Sequence, residues 1–334
     1  MCFVRKCLFI IAIVVVSLYS CTKHDDRCEV SEEESFSIDT ELNTTSSYFI
    51  IFGDIQEYTS NENYLNFYNA SLNWVFEQKN KGAIFTNIIQ VGDITQNNTP
   101  TQWEAFSNTS KLVTDILPFF VCVGNHDYTW NEKSMIENRK STLINEFAHF
   151  PLTDSSIIEY YSSNSLENYV ARLSDELDLK LLVLEFGPRL EVVEWAKRYV
   201  EMHSKDNFLL LTHAWLRGNG ERISIGSNID QQFAGYSSYC TPEDIWNYLV
   251  KPNDNIRCVL CGHDGFSANL FSVNDVGRSV PQILFNLQYQ NNGGNALVQL
   301  WEFPSNSKSV KIGVYDTINR CWYLPETTFL TFHI

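Results

Sequence analysis

The stretch that decides the fold is residues 256–266, IRCVLCGHDGF. An apolar run stops abruptly there, and Gly-His-Asp-Gly follows at once. Apolar runs without alternation are typical of strands that are covered on both faces, as α/β sheets require. In such sheets, ligands bind beyond the carboxyl ends of the strands. The stretch therefore predicts a buried strand that delivers a histidine to the ligand-binding edge of an α/β sheet.

Other apolar runs of the chain end in a similar way. Strands are predicted at 48–54, 83–93, 117–127, 179–187 and 207–215. Helical spacing of apolar residues at 63–80, 101–114, 189–204 and 241–251 predicts helices between them. With the strand at 256–265, five strand ends release polar side chains at one edge: Asp54, Asp93, Asn125, His126, Asp127, His213 and His263.

Each of these motifs alone has an ordinary explanation. Gly-Asp after a strand is usually a turn, and a lone histidine is more often a hydrogen-bonded side chain than a ligand. The combination favours a metal centre, because carboxylates, an amide oxygen and imidazoles together can hold one or two divalent ions. Glycines beside them would let the backbone turn sharply at the ion.

The chain changes character after residue 266. Segments 268–274, 281–287, 296–303 and 309–315 are short, β-rich and joined by turn residues. This pattern predicts hairpins that complete a second sheet.

Composition sets limits on the partners of the protein. The chain has 334 residues, of which 44% are hydrophobic, and this is enough for one large domain or two ordinary ones. Its formal net charge is −16. Because phosphate backbones favour clusters of lysine and arginine, no nucleic-acid partner is predicted.

The first residues have the pattern of an export signal. Arg5 and Lys6 precede a short apolar run, and Leu-Tyr-Ser-Cys follows at 18–21. These four residues resemble a bacterial lipobox, in which the cysteine becomes the acylated N-terminus. The predicted organisation is a lipoprotein signal peptide at 1–20, lipidation at Cys21, an acidic tether at 21–46 and a single domain at 47–334. The expected location is outside the cytoplasm, on a bacterial membrane, with the surface of the outer membrane as one alternative.

Cys258 and Cys261 have the spacing of a zinc or redox motif. On a strand, however, a separation of three residues points side chains to opposite faces. Two small buried hydrophobic residues are therefore favoured over a metal knuckle or a redox pair.

The ordered motifs resemble those of the calcineurin-like metallophosphoesterases. The family pattern is D-x-H, G-D, G-N-H-D/E, a lone histidine and G-H-x-H. Its matches here are DIQ at 54–56, GD at 92–93, GNHD at 124–127, His213 and GHDG at 262–265. The runs LEFGPR at 184–189 and NLQ at 286–288 are similar to an exported bacterial branch in which glutamine replaces the first histidine.

The resemblance implies a four-layer α/β/β/α sandwich of two mixed sheets. It also implies two ion positions that share Asp93. The second metal site is Asp93, Asn125, His213 and His263, and the first metal site is Asp54, Gln56 and Asp93. Gly265 stands where the family has a further histidine, so that Asp264 turning inward, or water, would fill the gap. The ions expected are Mn, Fe, Zn or Mg.

The same resemblance assigns roles in catalysis. His126 would protonate the leaving oxygen, and Asp127 would fix its orientation. Gln288, Asn291 and Asn292 are weak candidates for substrate contacts, with a polar hairpin turn as the alternative.

The predicted function is metal-dependent hydrolysis of phosphate monoesters or diesters by a membrane-anchored enzyme, acting on a phosphorylated small molecule or other phosphoester. The departures at Gln56 and Gly265 leave open a binding protein without turnover. A purely structural lipoprotein is a third hypothesis, but it does not explain why five strand ends carry such side chains.

Overall fold

The computed structural model describes residues 42–132, 136, 138–224, 239–305, 307–323 and 330–333. These residues belong to one compact unit, Asp39–Ile334. The predicted signal peptide, Cys21 and most of the predicted tether lie outside the described residues.

The predicted strands are present, the third one shorter than predicted, together with strands that the sequence did not predict. In chain order they are β1 Ser47–Phe52, β2 Ile84–Gln90, β3 Phe119–Val121, β4 Ile157–Tyr160, β5 Tyr169–Ser174, β6 Leu179–Leu184, β7 Asn207–Thr212, β8 Ile256–Cys261, β9 Ser267–Val273, β10 Ser279–Phe285, β11 Leu297–Phe303, β12 Ser309–Asp316, β13 Cys321–Trp322 and β14 Leu330–His333.

The helices occupy the predicted intervals and several shorter ones. They are α1 Gln56–Ser60, α2 Glu62–Asn80, α3 Pro100–Thr114, α4 Ile144–Phe147, α5 Pro151–Ser156, α6 Leu190–Met202, α7 Pro242–Ile245 and α8 Asn291–Gly294. The helix predicted at 241–251 has a single α-helical turn, which continues as a π-helical turn, Trp246–Val250.

Local sequence explains where the main helices begin. The side chain of Thr99 accepts a hydrogen bond from the backbone of Gln102, and Pro100 occupies the first turn of α3. Thr241 forms a capping box with Asp244, and Pro242 takes the first position of α7. A proline there loses no hydrogen bond, because the first amides of a helix have no partner within it.

The strands form two mixed sheets of seven strands. In the first sheet the order is β13-β12-β11-β1-β2-β3, and β14 pairs with β12. In the second sheet the order is β4-β5-β6-β7-β8-β10-β9. Strands β1, β2 and β3 run parallel to one another, and so do β6, β7, β8 and β10. Each sheet therefore collects several carboxyl ends at one edge.

The sequence predicted that the C-terminal hairpins complete the second sheet, but only some of them enter it. β9 and β10 join it, but β11 pairs antiparallel with β1, so that β11 and β12 extend the first sheet. The second sheet is completed instead by β4 and β5, which the sequence analysis missed. β4 is a short edge strand with half-exposed residues, and it lacks the long apolar run on which the prediction relied.

Two apolar cores define the four layers. One core joins Leu72 of α2 and Phe106 of α3 with the first sheet and with Leu181 and Leu209 of the second sheet. The other joins the outer face of the second sheet with Val193 of α6 and the π-helical turn. Successive residues of β6 and β7 alternate between the two cores, as a doubly covered sheet requires. The predicted α/β/β/α sandwich of two mixed sheets is confirmed.

The two cysteines of β8 point to opposite faces. Cys258 packs in the core between the sheets, and Cys261 packs in the core under α6. Both thiols are free and fully buried, which raises their pKa values because burial disfavours the thiolate. Among the described residues, no helix combines the length and the apolar character needed to cross a bilayer.

This placement predicts the reactivity of the thiols. In the folded protein, a maleimide should label the half-buried Cys321 and leave Cys258 and Cys261 unlabelled until denaturant is added. Peptide mass spectrometry after timed labelling measures all three sites in one sample. Recovery of a disulfide between Cys258 and Cys261, or equally fast labelling at all three, would contradict the placement.

Candidate metal centre

Six parallel strand ends meet at one place. Asp54 follows β1, Asp93 follows β2, Asn125 follows β3, His213 follows β7 and His263 follows β8. The sixth end is that of β10, which is followed by Asn286 and Gln288. Hydrogen bonds join side chains from both sheets across this edge, so the predicted convergence is present.

The side chains of the second metal site touch one another. Nε2 of His213 lies 3.2 Å from Oδ2 of Asp93 and 3.2 Å from Oδ1 of Asn125. Nδ1 of His263 lies 2.8 Å from the same Asn125 oxygen. The ligand atoms of Asp93, His213 and His263 all fall within 4.8 Å of one another. Asp93, Asn125 and His213 are buried.

The donor set of this cluster fits a cation. Nδ1 of His213 lies 2.8 Å from the carbonyl oxygen of Val91. A carbonyl only accepts, so Nδ1 carries the proton and, in the neutral ring, Nε2 presents a lone pair. That lone pair faces oxygen atoms of Asp93 and Asn125, which are also electron-rich. Such an arrangement is favourable only when a proton or a metal ion lies between the atoms.

The pKa values show how strongly the cluster attracts positive charge. Burial lowers the pKa of His213, but the carboxylates of Asp93 and Asp54 outweigh it and raise this pKa to about 9. Burial and the neighbouring His213 lower the pKa of His263 to about 3. Burial raises the pKa of Asp93, yet the nearby histidines hold it below its usual range. A divalent ion would replace the proton on His213, because metal ligands bind in their deprotonated forms.

Asp54 is fixed by hydrogen bonds from three directions. Its Oδ1 accepts from the backbone amide of His263 at 3.2 Å, and its Oδ2 accepts from the side-chain amides of Asn286 at 2.5 Å and Gln288 at 3.4 Å. Burial raises the pKa of Asp54 well above its usual value. Asn286 was not among the predicted site residues. The signal was available, because the apolar run at 281–285 ends at Asn286 as the other runs end at their polar residues.

Gln56 supplies an oxygen with no partner. It begins α1, two residues after Asp54, and it is 3% exposed. Its Oε1 is buried and has no hydrogen-bond partner within the described part of the chain. A buried amide oxygen without a partner is unfavourable. A metal ion at the first metal site would satisfy it, so the residues present fit an ion there as well.

Asp264 does not fill the expected gap at Gly265, and Tyr289 borders it. Oδ2 of Asp264 accepts from the backbone amide of Gly218 at 2.7 Å, and so Asp264 joins the neighbouring loop instead of turning inward. The ring of Tyr289 lies where a side chain at position 265 would project, since an ideal Cβ there would be 1.9 Å from its Cε2 atom.

The orientation of His126 depends on a residue other than the predicted one. Its Nδ1 lies 2.9 Å from the carbonyl oxygen of Gln96, and its ring packs against Trp130 with centroids 5.4 Å apart. Asp127 accepts instead from the backbone amides of Ile94, Thr95 and Gly124. Asp127 therefore ties together the loops that follow β2 and β3. The predicted role of Asp127 in fixing His126 would therefore act through this loop, whereas the contacts of the ring are those with Gln96 and Trp130.

Of the three candidates for substrate contacts, only Gln288 has a contact within the metal centre. Gln288 lies at the centre through its bond to Asp54. Asn291 is exposed, and the side chain of Asn292 donates to Asn295, which follows α8. These two asparagines belong to a turn that packs on α1, where a Cβ at Gly293 would lie 2.7 Å from that of Glu57. The segment is polar, but it connects β10 of the second sheet with β11 of the first sheet and so is not the hairpin turn of the alternative prediction.

Comparison with known proteins identifies the family. The model of the calcineurin-like phosphoesterases matches residues 47–267, about two thirds of the chain. The chain therefore belongs to the calcineurin-like phosphoesterases, a family of metal-dependent phosphoesterases. All the residues proposed as metal ligands lie within this range.

A curated relative and several solved structures are similar to the chain. It is 24% identical over 280 residues to the YvnB protein of Bacillus subtilis. The alignment covers 80% of this chain but only 20% of YvnB. Thus the chain spans about a fifth of the length of this relative. The phosphoesterase YfkN of Bacillus subtilis has 11% identity and a TM-score of 0.37, covering 86% of this chain and 91% of its own. A predicted phosphoesterase of Streptococcus pneumoniae has 11% identity and a TM-score of 0.34, and the match covers 86% of this chain and 98% of the other.

The geometry of the second metal site predicts the effect of removing a ligand. His263→Ala should lose the tightly bound ion, because one of the imidazoles that face Asn125 is removed. Elemental analysis of desalted protein measures the ion content. The matched control is His203→Ala, because His203 stacks on Tyr199, with ring centroids 4.1 Å apart, and is not part of the cluster. Equal ion content in both variants would contradict the site.

Proposed function

We propose that this protein hydrolyses phosphate monoesters or diesters with one or two divalent ions, Mn, Fe, Zn or Mg. The observation that supports this most is the contact of Asp93, Asn125, His213 and His263 from four strands. Membership of a phosphoesterase family agrees with it. The substrate is a phosphorylated small molecule or another phosphoester.

The residues divide the work between two positions. Asp93, Asn125, His213 and His263 would hold one ion, and Asp54, Gln56 and Asp93 would hold the other. Bound divalent ions supply an acidified water and stabilise charge on the phosphoryl oxygens. The amide oxygen of Gln56 is a harder and weaker ligand than an imidazole. The first metal site is therefore the looser one, and activity should depend on added Mn²⁺ or Mg²⁺.

His126 is the group that would move a proton to the leaving oxygen. The carbonyl of Gln96 keeps a proton on its Nδ1, so proton transfer falls to Nε2. The packing of the ring on Trp130 limits its rotation. Its backbone amide also donates to Oδ1 of Asp93 at 2.8 Å, which couples the position of His126 to that of a metal ligand.

A variant of His126 tests the catalytic proposal. His126→Ala should reduce kcat by about 10²- to 10⁴-fold with p-nitrophenyl phosphate and Mn²⁺, the usual contribution of a positioned acid. Its ion content should stay unchanged, because His126 is not a proposed ligand. The matched control is His149→Ala, whose Nδ1 pairs with Asp154 instead. No hydrolysis by the wild-type protein with either monoester or diester would favour a binding protein without turnover.

We also propose that the protein is exported and anchored by lipid at Cys21, with the acidic residues 21–46 as a tether. The support is the sequence pattern of residues 5–21. In bacteria grown with a clickable fatty acid, the full chain should take up label. Cys21→Ser should lose the label, whereas Cys28→Ser, the control in the same segment, should keep it. Equal labelling of both variants would contradict the anchor.

A further inference from the structure

The ring of Tyr289 lies against Gly265, two residues after His263. An ideal Cβ at Gly265 would lie 1.9 Å from Cε2 and 2.0 Å from Cδ2 of its ring. Real Cβ atoms do not approach other atoms so closely, so a side chain at position 265 would require this ring to move. Gly265 does not have a positive φ. It is therefore space, rather than backbone strain, that opposes a side chain there.

The backbone around Tyr289 is fixed on the side of Asp54. Asn286 and Gln288 both donate to Oδ2 of Asp54, and the backbone amide of Gln288 donates to Oδ1 of Asn286 at 3.0 Å. The backbone amide of Gln290 donates to the carbonyl of Leu287 at 2.9 Å. The residues on either side of Tyr289 are thus tied to the centre or to one another.

The ring itself remains accessible. Tyr289 is 75% exposed, although it stands beside the buried Gly265. Burial of part of the ring and the carboxylates of Asp54 and Asp264 raise the pKa of its hydroxyl. The phenol is therefore protonated near neutral pH. A neutral aromatic ring with an open face is a surface for an organic group, not a ligand.

We propose that Tyr289 takes the space of a ligand at position 265, which leaves the first metal site with only Asp54, Gln56 and Asp93, and that its ring contacts the organic group of the substrate. The first part of this proposal, the metal half, concerns metal binding alone. The second part, the substrate half, rests on the proposed function because it requires a bound phosphoester. The chemical class that such a surface favours is a phosphoester with an aromatic or other planar group.

The metal half is tested with a double-mutant cycle. Gly265→His is made in the wild-type chain and in Tyr289→Ala, and Mn²⁺ binding is measured by calorimetry. In Tyr289→Ala the new imidazole should add a ligand and tighten the weaker ion by about tenfold or more. In the wild-type chain the gain should be several times smaller, because the ring must first move outward.

Two outcomes would overturn the metal half. Equal tightening in both backgrounds would show that the ring does not exclude a side chain at position 265. Loss of the weaker ion in Tyr289→Ala alone would show that the phenol is itself a ligand. Neither result depends on turnover, and so the metal half can fail or succeed independently of the proposed function.

The substrate half is tested by comparing two phosphate monoesters. Tyr289→Ala should raise KM for p-nitrophenyl phosphate by about two- to tenfold, the usual range for an aromatic contact. The same variant should leave KM for glycerol phosphate nearly unchanged, and kcat should stay nearly the same for both substrates. Tyr289→Phe should behave as the wild type. The matched control is Phe266→Ala, an exposed aromatic beside Gly265 whose ring packs on Gly218. Equal changes for both esters, or the same selectivity in Phe266→Ala, would overturn the contact.

Discussion

The arrangement of this centre depends on one electrostatic constraint. Val91 keeps a proton on Nδ1 of His213, so in the neutral ring Nε2 faces Asp93 and Asn125 with its lone pair. Electron-rich atoms held about 3 Å apart repel one another unless positive charge lies between them. The fold brings these atoms together from the ends of different strands, so the folded state itself requires a proton or a cation at this point. This requirement links the architecture to the chemistry.

Glycines make the approach of the strand ends possible. A Cβ at Gly92 would lie 2.4 Å from Nδ1 of His213, one at Gly124 would lie 2.2 Å from Oδ1 of Asp93, and one at Gly262 would lie 2.3 Å from Oδ1 of Asp54. Each glycine precedes one ligand in the chain and packs against a ligand from another strand. A sharp turn was the expected reason for these glycines, but of the three only Gly92 has a positive φ. At Gly124 and Gly262 the missing side chain matters more than the backbone freedom.

The sequence predicted the parts of the fold and of the site that follow from a repeated pattern. Buried strands followed by Asp, Asn or His repeat along the chain, so the edge of the sandwich and the ligands Asp93, Asn125, His213 and His263 could be inferred. Contacts between distant loops could not. Gln96 reaches His126, and Tyr289 reaches Gly265, by paths that no spacing in the sequence encodes. β4 was missed for a related reason, since an edge strand shows little apolar pattern and depends on its neighbours.

The most direct test of the account is a crystal structure of the protein soaked with Mn²⁺, with anomalous diffraction to locate the ions. The account predicts a strong peak in contact with Oδ2 of Asp93, Oδ1 of Asn125, Nε2 of His213 and Nδ1 of His263. A weaker peak should lie beside Asp54 and Oε1 of Gln56. Electron density in which these four side chains keep their mutual contacts without an anomalous peak between them would contradict the central claim.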